Sequence, residues 1–390
     1  MNKRLTVITN YFPPESGAAS NRIASMVDAF SKNGYEVTVI CPLPSYPLGK
    51  IFESFRGKLF YKENQGTLTI YRLWHIPSNS SSKIKRLLSM FSFSFSLFWF
   101  LIFKRLSAVV FVQMSPIFVG FTSVLLLRLK RKKIILNVSD LWPLAGLEMG
   151  LLKQGLYYNI LESIEKFCYK NSSLIMGQSE EILIHIKTLF QTKKIFLYRN
   201  LPPLHSELQK PVKKPSNETK IVYAGLLGVA QGVAGLIENL KLPEGTSISI
   251  YGEGPEAQKI SQIAKTHPKI HYCGVLKKSK LDLELTEYDI ALIPLVKRIY
   301  GSVPSKIFEL SRLGVPVVYF SDGEGANIVE TLGLGFVIKH HYRSEFEQLL
   351  NDLQQGKHLL PDAAKIKKTA KTHFDFNKQF QKLLKEIESY

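Results

Sequence analysis

One stretch of the sequence, Val303–Val318, combines charged side chains with helix-start and helix-end signals. Pro304 suits the start of a helix, and Lys306 and Glu309 then lie one turn apart on the same face. A cation so close to a helix N-terminus opposes the helix dipole unless an anion also binds there. Lys306 could therefore neutralise a diphosphate while Glu309 accepts hydrogen bonds from ribose hydroxyls. The alternative is an ordinary Lys–Glu pair on the surface.

Two glycine-bearing loops precede this stretch. Gly225 to Gly232 follows a predicted strand and precedes a helix, so its backbone could approach a phosphate at the helix N-terminus. Gly252, Glu253 and Gly254 permit a sharp turn at the carboxyl end of the next strand, where open α/β sheets bind ligands. Tight packing of strand against helix would equally explain these glycines. A dehydrogenase-like site, with Glu253 on a ribose, is a further possibility.

These loops belong to a repeated pattern of strand, loop and helix, which predicts an α/β fold with parallel sheets. The first βαβ unit comprises a strand at Leu5–Thr9, a helix from about Ser20 to Asn33, and a strand from Tyr35 to Ile40. Further strands are predicted, in chain order, at Leu68–Trp74, Ala108–Gln113, Ile134–Val138, Ile221–Ala224, Ser247–Tyr251, Ile270–Cys273, Ile290–Pro294 and Pro316–Phe320.

The length of 390 residues favours two domains. The polar, proline-bearing segment Leu208–Lys220 has the composition of a linker. We therefore expect a first domain at 1–205 and a second at 218–372. The amphipathic tail Phe374–Tyr390 remains as a C-terminal helix.

The formal net charge of +19 indicates an anionic partner, either a phosphorylated ligand, an acidic lipid surface or a nucleic acid. The three cysteines are widely separated, and the nine histidines show no metal-ligand spacing, so neither disulfides nor a metal site are expected. The first residues predict a buried strand and not a signal peptide. A cytoplasmic location is therefore expected.

The segment Leu87–Phe103 is uncharged, rich in Phe and Trp, and flanked by basic residues. Its length approaches that of a membrane span, but its serines and its position between strands of one sheet argue against spanning. We interpret it as a helix at the surface of a membrane, with its basic flanks, including Lys85 and Arg105, near anionic headgroups. The alternative is a buried core helix.

Taken together, the motifs resemble the retaining glycosyltransferases of family 4, which have the GT-B fold. The matching pieces are the loop after the first strand, Tyr223-Ala224-Gly225, Gly252-Glu253-Gly254-Pro255, and Pro304-Ser305-Lys306 through Glu309 to Gly314-Val315-Pro316-Val317. They occur in the family's order across nearly the whole chain. Ser139-Asp140-Leu141-Trp142-Pro143 further resembles a branch that makes bacterial surface polysaccharides, including N-acetyl-fucosamine-type transferases.

The resemblance implies two facing Rossmann-like domains, with the C-terminal helix returning to the first. It implies a UDP-sugar co-substrate in the second domain, a lipid-linked acceptor at the first, catalysis between them, and no obligatory metal or other cofactor. The catalytic residues would be Lys306, Asp140 and Glu309. The nucleotide-sugar site would comprise Gly17, Gly225, Gly228, Gln231, Gly252, Glu253, Gly254, Pro304, Ser305, Lys306 and Glu309.

The chain departs from the family pattern at two positions. Where many members have Glu-x7-Glu, this chain has Gly301 and Glu309, and where a lysine often precedes the last loop glycine it has Gln231. Asp140 falls near the place where many members carry a catalytic-site histidine. It could orient a hydroxyl of the acceptor or donor, or it could cap the end of a strand.

Two other classes of protein are alternatives to a glycosyltransferase. A nucleotide-sugar epimerase or dehydrogenase would need a Tyr-x-x-x-Lys pair or a dinucleotide site in the first domain, and the sequence has neither. A nucleic-acid-binding protein is suggested only by charge, because the basic residues flank aliphatic and Phe-rich stretches and form no recognised motif.

Overall fold

The computed structural model describes residues 3–78, 82–203 and 218–389. The chain divides into two compact units, 1–200 with 377–390, and 201–376. The predicted linker Leu208–Lys220 lies outside the described residues, apart from 218–220.

The first unit is built on a mostly parallel sheet of eight described strands, in the order β3-β4-β2-β1-β5-β6-β7-β8, in which only the β3–β4 pair is antiparallel. The strands are β1 (Arg4–Ile8), β2 (Glu36–Pro42), β3 (Phe60–Gln65), β4 (Leu68–Leu73), β5 (Val109–Gln113), β6 (Lys133–Val138), β7 (Leu174–Gly177) and β8 (Ile195–Leu197). The helices between them are α1 (Ala18–Lys32), α2 (Lys83–Phe103), α3 (Ile117–Leu129), α4 (Leu144–Glu148), α5 (Leu156–Asn171) and α6 (Glu180–Leu189).

The second unit has a fully parallel sheet of six described strands, in the order β11-β10-β9-β12-β13-β14. Its strands are β9 (Thr219–Ala224), β10 (Thr246–Tyr251), β11 (Ile270–Gly274), β12 (Ile290–Pro294), β13 (Val317–Phe320) and β14 (Gly335–Ile338). Its helices are α7 (Val233–Ile237), α8 (Ala257–Thr266), α9 (Lys278–Glu284), α10 (Lys306–Leu313), α11 (Gly323–Thr331), α12 (Tyr342–Gln354) and α13 (Ala363–His373).

The central strands of both sheets are continuous apolar runs because helices cover both faces of a parallel sheet. All five residues of β12 are buried, as are four of the five residues of β1. The predicted parallel α/β fold is confirmed. Strands β3, β7, β8 and β14 were not predicted, since β3 is mainly polar and exposed and the other three have only three or four residues.

The C-terminal helix α14 (Phe376–Glu388) packs on the first unit, although the chain reaches it only after the second. The Phe380 ring meets the Phe30 ring edge-on, with 4.8 Å between centroids. The Gln379 amide accepts from the Arg199 N–H and donates to the Arg199 carbonyl, at 2.9 and 3.0 Å. The apolar stripe of the amphipathic tail therefore completes the first unit's core, as the resemblance implied.

Helix α2 has two different apolar faces. Phe93, Leu97 and Leu101 are at most 1% exposed and belong to the core, so the core-helix interpretation holds for this face. Phe95 and Trp99 are 62% and 49% exposed. Among the described residues, no helix is both long enough and apolar enough to span a membrane.

Candidate functional site

The second unit gathers its candidate residues at the carboxyl ends of its strands. The Gly225 loop follows β9, the Gly252 loop follows β10, and the loop that leads to Lys306 follows β12. Strands β10, β9 and β12 are neighbours, and parallel strands all end at the same edge of the sheet. The Lys297 N–H donates to the Ala230 carbonyl at 3.3 Å, so the loops after β12 and β9 also meet directly. The structure thus brings these predicted residues to one edge.

Glu309 is the centre of a small charged cluster. Its Oε2 lies 2.9 Å from Lys306 Nζ and 3.2 Å from Lys278 Nζ. The Ser305 hydroxyl donates to its Oε1 at 3.2 Å. Both carboxylate oxygens therefore have partners. Lys278 Nζ also lies 3.8 Å from Asp282 Oδ1, and Asp282 Oδ2 lies 3.8 Å from Arg312, so three cations face two carboxylates in the connected cluster. The cluster carries a net positive charge while it holds one acceptor group in a fixed position.

The pKa of Glu309 is lowered by this arrangement. Burial by itself would raise the pKa, but the charges of Lys306 and Lys278 and their hydrogen bonds outweigh it. The side chain is 21% exposed, so a ligand can reach it. Glu309 is therefore a carboxylate at neutral pH, which can accept hydrogen bonds but donate none.

Lys278 was not predicted, because nothing in its local sequence sets it apart from other lysines. It begins α9, 31 positions before Glu309, and its side chain is 54% exposed. Only the packing of the elements around α10 brings the two side chains together. The Lys306–Glu309 pair, by contrast, follows directly from helical spacing, and it forms at 2.9 Å.

Helix α10 begins at Lys306, directly after Pro304 and Ser305, and ends at Gly314. Gly314 has φ of +74°, and its N–H donates to the Ser311 carbonyl at 3.0 Å. A Cβ at this position would lie 2.7 Å from the Ala363 carbonyl oxygen. The helix end predicted from the sequence therefore has both a conformational and a steric cause.

The glycines at 252 and 254 are explained by close packing of two loops. A Cβ on Gly252 would lie 1.8 Å from the Gly225 carbonyl oxygen, and one on Gly254 would lie 2.5 Å from the Leu227 carbonyl oxygen. The Leu227 N–H donates to the Glu253 carbonyl at 2.9 Å. The packing alternative therefore accounts for both glycines, while the Glu253 side chain is exposed.

The N-terminus of α7, which follows the Gly225–Gly232 loop, already has an acidic partner. Glu256 Oε2 accepts a hydrogen bond from the Ala234 N–H at 3.2 Å. The helix has only five residues, so its dipole is short. A phosphate on this loop would meet that carboxylate. Gln231 Oε1 is buried without a hydrogen-bond partner in the described part of the chain, and it lies against Gly228.

The first unit has its own polar cluster at the carboxyl edge of its sheet. Arg22 is 8% exposed and donates to the Ser139 hydroxyl at 2.7 Å. Asp140, just after β6, has an exposed side chain. Although solvent reaches Asp140, the protein atoms around its carboxyl partly desolvate it and raise its pKa. The nearby charge of Arg22 opposes that rise. Burial lowers the pKa of Arg22 to about 10, which still leaves it charged at neutral pH.

Arg22 was not predicted, although one signal was available. It lies between Ser20 and Ile23 on the buried face of α1, where a cation is costly without a partner. Gly17, at the start of this helix, has φ of +148° and lies close to the Tyr46 ring. Gly17 and Asp140 thus belong to the first unit, and the other predicted site residues to the second.

The fold defines the class of protein. Two α/β units with parallel sheets and a C-terminal helix on the first unit form the GT-B fold. Sucrose-phosphate synthase from Thermosynechococcus elongatus has a TM-score of 0.75 at 11% identity, covering 100% of this chain and 99% of that one. The Anabaena protein Alr3699/HepE in complex with UDP-glucose has a TM-score of 0.68 at 11% identity, covering 99% and 100%.

Sequence comparison narrows the class. Residues 205–373 match the family model described as "Glycosyl transferases group 1", and the match lies within the second unit. The chain is also 23% identical over 273 residues to Escherichia coli (strain K12) WcaI, whose name places it in colanic acid biosynthesis as a glycosyl transferase. That alignment covers 65% of this chain and 67% of WcaI. These matches do not favour the epimerase or dehydrogenase alternative.

A third structure adds to the fold comparison. WaaG, a glycosyltransferase involved in lipopolysaccharide biosynthesis, has a TM-score of 0.65 at 14% identity, covering 97% of this chain and 98% of that one.

Proposed function

We propose that this protein is a hexosyltransferase that moves a sugar from a UDP-sugar, an N-acetylated or deoxy sugar, to a lipid-linked acceptor. The reaction would retain the anomeric configuration, require no metal, and serve the synthesis of a bacterial surface polysaccharide such as O-antigen or capsule. The observation that carries the proposal is the cluster of Glu309, Lys306 and Lys278 in the unit that matches the group 1 glycosyltransferase model. The UDP and UDP-glucose complexes of Alr3699/HepE support a nucleotide-sugar donor.

In this proposal the two lysines receive the diphosphate. Cleavage of the bond between the anomeric carbon and the phosphate oxygen leaves negative charge on the departing nucleotide. Lys306 and Lys278 are partly exposed and can turn from Glu309 toward that charge. Fixed positive groups aimed at a developing charge lower the barrier, and loss of one such donor typically slows catalysis about 100- to 1,000-fold. A metal ion would not be needed to balance the charge.

Glu309 would hold the ribose. Because its pKa is lowered, the carboxylate can accept hydrogen bonds from two adjacent hydroxyls at neutral pH. Hydrogen bonds to a charged group contribute about 1.5–3 kcal/mol. Lys306 would thus neutralise the charge of the diphosphate, and Glu309, one helical turn away, would orient the ribose.

On the first unit we propose that Asp140 orients a sugar hydroxyl. The exposed carboxylate follows Ser139, which the buried Arg22 holds by a hydrogen bond. This contact fixes the position of the loop after β6. The acceptor is proposed to be lipid-linked and the protein peripheral on the cytoplasmic face of the plasma membrane.

The test is transfer of radiolabelled sugar from a panel of UDP-sugars into a lipid extract. Lys306→Ala should lower turnover about 100-fold or more. The matched control is Lys339→Ala, which removes a lysine from an exposed pair with Glu330 at 3.0 Å in the same unit. It should keep full activity. Equal turnover of Lys306→Ala and the control would remove Lys306 from the mechanism, and absence of transfer from every donor would overturn the proposed reaction.

A further inference from the structure

The first unit exposes a continuous apolar surface where α2 meets the edge of the sheet. Phe95, Trp99 and Phe103 are spaced four residues apart and therefore form one stripe on the helix. Their exposed fractions are 62%, 49% and 80%. The opposite face of the helix is already used for the core. This stripe thus has no partner within the described part of the first unit that covers it.

The β3–β4 edge extends the stripe into a groove. Leu59 and Phe60 are 73% and 49% exposed, and Trp74 is 37% exposed. Together with the α2 stripe they line an open groove of about 590 Å³, with Lys104 at its rim. We call this surface the aromatic face. An exposed apolar patch of this extent marks a binding surface, because water disfavours it.

Two of the serines within α2 are buried, whereas Ser96 lines the groove. The Ser92 hydroxyl donates to the Ser89 carbonyl and accepts from the Ile76 N–H, both at 2.8 Å. The Ser94 hydroxyl donates to the Met90 carbonyl at 3.0 Å. Both side chains are buried, so the hydroxyl groups are satisfied internally. The exposed stripe itself consists of aromatic rings.

The segment that contains α2 and α3 carries only positive charges. Between Lys83 and Lys133 the sequence contains no Asp or Glu. The segment contains these basic residues: Lys83, Lys85, Arg86, Lys104, Arg105, Arg128, Lys130, Arg131, Lys132 and Lys133. Ten cations without an acid account for much of the net charge of +19.

Packing places part of this charge beside the aromatic face. Lys130 Nζ donates to the carbonyls of Ile102 and Lys104, at 2.8 and 3.2 Å, and so fixes the end of α3 next to the end of α2. Arg105 and Arg128 are exposed there, and neither has a carboxylate partner among residues 3–78, 82–203 and 218–389. Cations near the C-termini of two helices are also favoured by the helix dipoles.

We propose that the aromatic face inserts into the interface of a bilayer containing anionic lipids, with α2 lying along the membrane surface. Aromatic side chains would enter the boundary between headgroups and chains, and the surrounding cations would bind headgroup phosphates. A second copy of this chain is a poorer occupant, because it would bring an equally positive surface against the first. The inference names the surface that would hold the protein at the membrane in the location proposed above, and it does not depend on sugar transfer.

The experiment is flotation of the full-length protein with vesicles of phosphatidylcholine, with or without phosphatidylglycerol. Wild type should float with the anionic vesicles and bind them less in high salt. Trp99→Ala combined with Phe103→Ala should weaken binding to the vesicles about tenfold or more, because two rings that would enter the bilayer are lost. The control is Leu156→Ala, which truncates a side chain that is 79% exposed on α5.

The contribution of the cations to membrane binding is tested by a double variant and a matched control. Arg105→Gln with Arg128→Gln should weaken binding to anionic vesicles about tenfold or more. Lys382→Gln with Lys385→Gln removes the same charge from α14 and should have little effect. Donor binding by UDP calorimetry should be unchanged in all these variants, which separates this test from that of the proposed function.

Two results would overturn the inference. One is failure of the wild-type protein to float with anionic vesicles, or equal losses in the surface variants and their controls. The other is a stable dimer in light scattering that the Trp99 and Phe103 substitutions dissociate, since the aromatic face would then bind a second copy.

Discussion

Replacing Glu309 by glutamine keeps the size of the side chain and removes its charge. In the proposed site this change has two opposite consequences. The ribose loses a charged acceptor, while the diphosphate loses a negative neighbour and is attracted more strongly by Lys306 and Lys278. The affinities for the ribose part and for the diphosphate part of the ligand should therefore change in opposite directions.

The magnitudes follow from the geometry. Hydrogen bonds to a charged group contribute about 1.5–3 kcal/mol, and the diphosphate of UDP gains back about 1 kcal/mol, so UDP should bind about 2- to 30-fold more weakly to Glu309→Gln. The lysines lie 2.9 and 3.2 Å from Oε2, but they are 31% and 54% exposed. Solvent screening at such exposure limits the gain for free pyrophosphate to about 1 kcal/mol, or about fivefold tighter binding.

Isothermal titration calorimetry with UDP and with pyrophosphate measures both changes on the same protein. Glu330→Gln is the control, because it makes the same substitution in the exposed Lys339–Glu330 pair of this unit. It should leave both affinities unchanged. If UDP and pyrophosphate affinities fell together in Glu309→Gln, or neither changed, the assignment of Glu309 to ribose and of the lysines to phosphate would be wrong.

Two further predictions concern stability. Leu97→Ala should lower the free energy of unfolding, measured in urea, by about 2–5 kcal/mol, because Leu97 is fully buried. Trp99→Ala, on the exposed face of α2, should change it far less. Similar losses in the two variants would refute the description of α2 as having one buried and one exposed face. Burial raises the pKa of Glu165 to about 7, although the Tyr169 hydroxyl donates a hydrogen bond to its carboxylate. The folded state is therefore favoured while Glu165 is protonated, and the protein loses stability as the pH rises from about 4.5 through 7. Glu165→Gln should therefore gain melting temperature relative to wild type between pH 5 and pH 8, and a constant difference across this range would contradict the raised pKa.

The sequence predicted the fold because its signals are local and repeated. Apolar strands of the right length, each followed by a glycine-bearing loop and an amphipathic helix, fix parallel α/β units. The helix end at Gly314 and the Lys306–Glu309 spacing were predictable for the same reason. Strands β3, β7, β8 and β14 were missed, because β3 is polar and the other three are no longer than four residues.

The candidate site was only partly predictable. Gly252 and Gly254 were identified, but their steric cause is the backbone of another loop, more than 20 positions away. The Glu256 carboxylate at the start of α7 could not be foreseen from the loop motif. A motif indicates which backbone can approach a ligand, and it does not indicate what else the fold places there.

By itself the sequence determined where ten of the fourteen described strands form, the order of the two units, and which charged residues share a helical turn. These properties depend on neighbours within a few positions along the chain. The tertiary structure alone decided that Lys278 joins Glu309 across 31 positions, that Arg22 reaches Ser139 across 117, and that one face of α2 is core while the other is open. Such contacts depend on how elements pack, because side-chain burial and ion pairing are set by whichever segments the fold brings together.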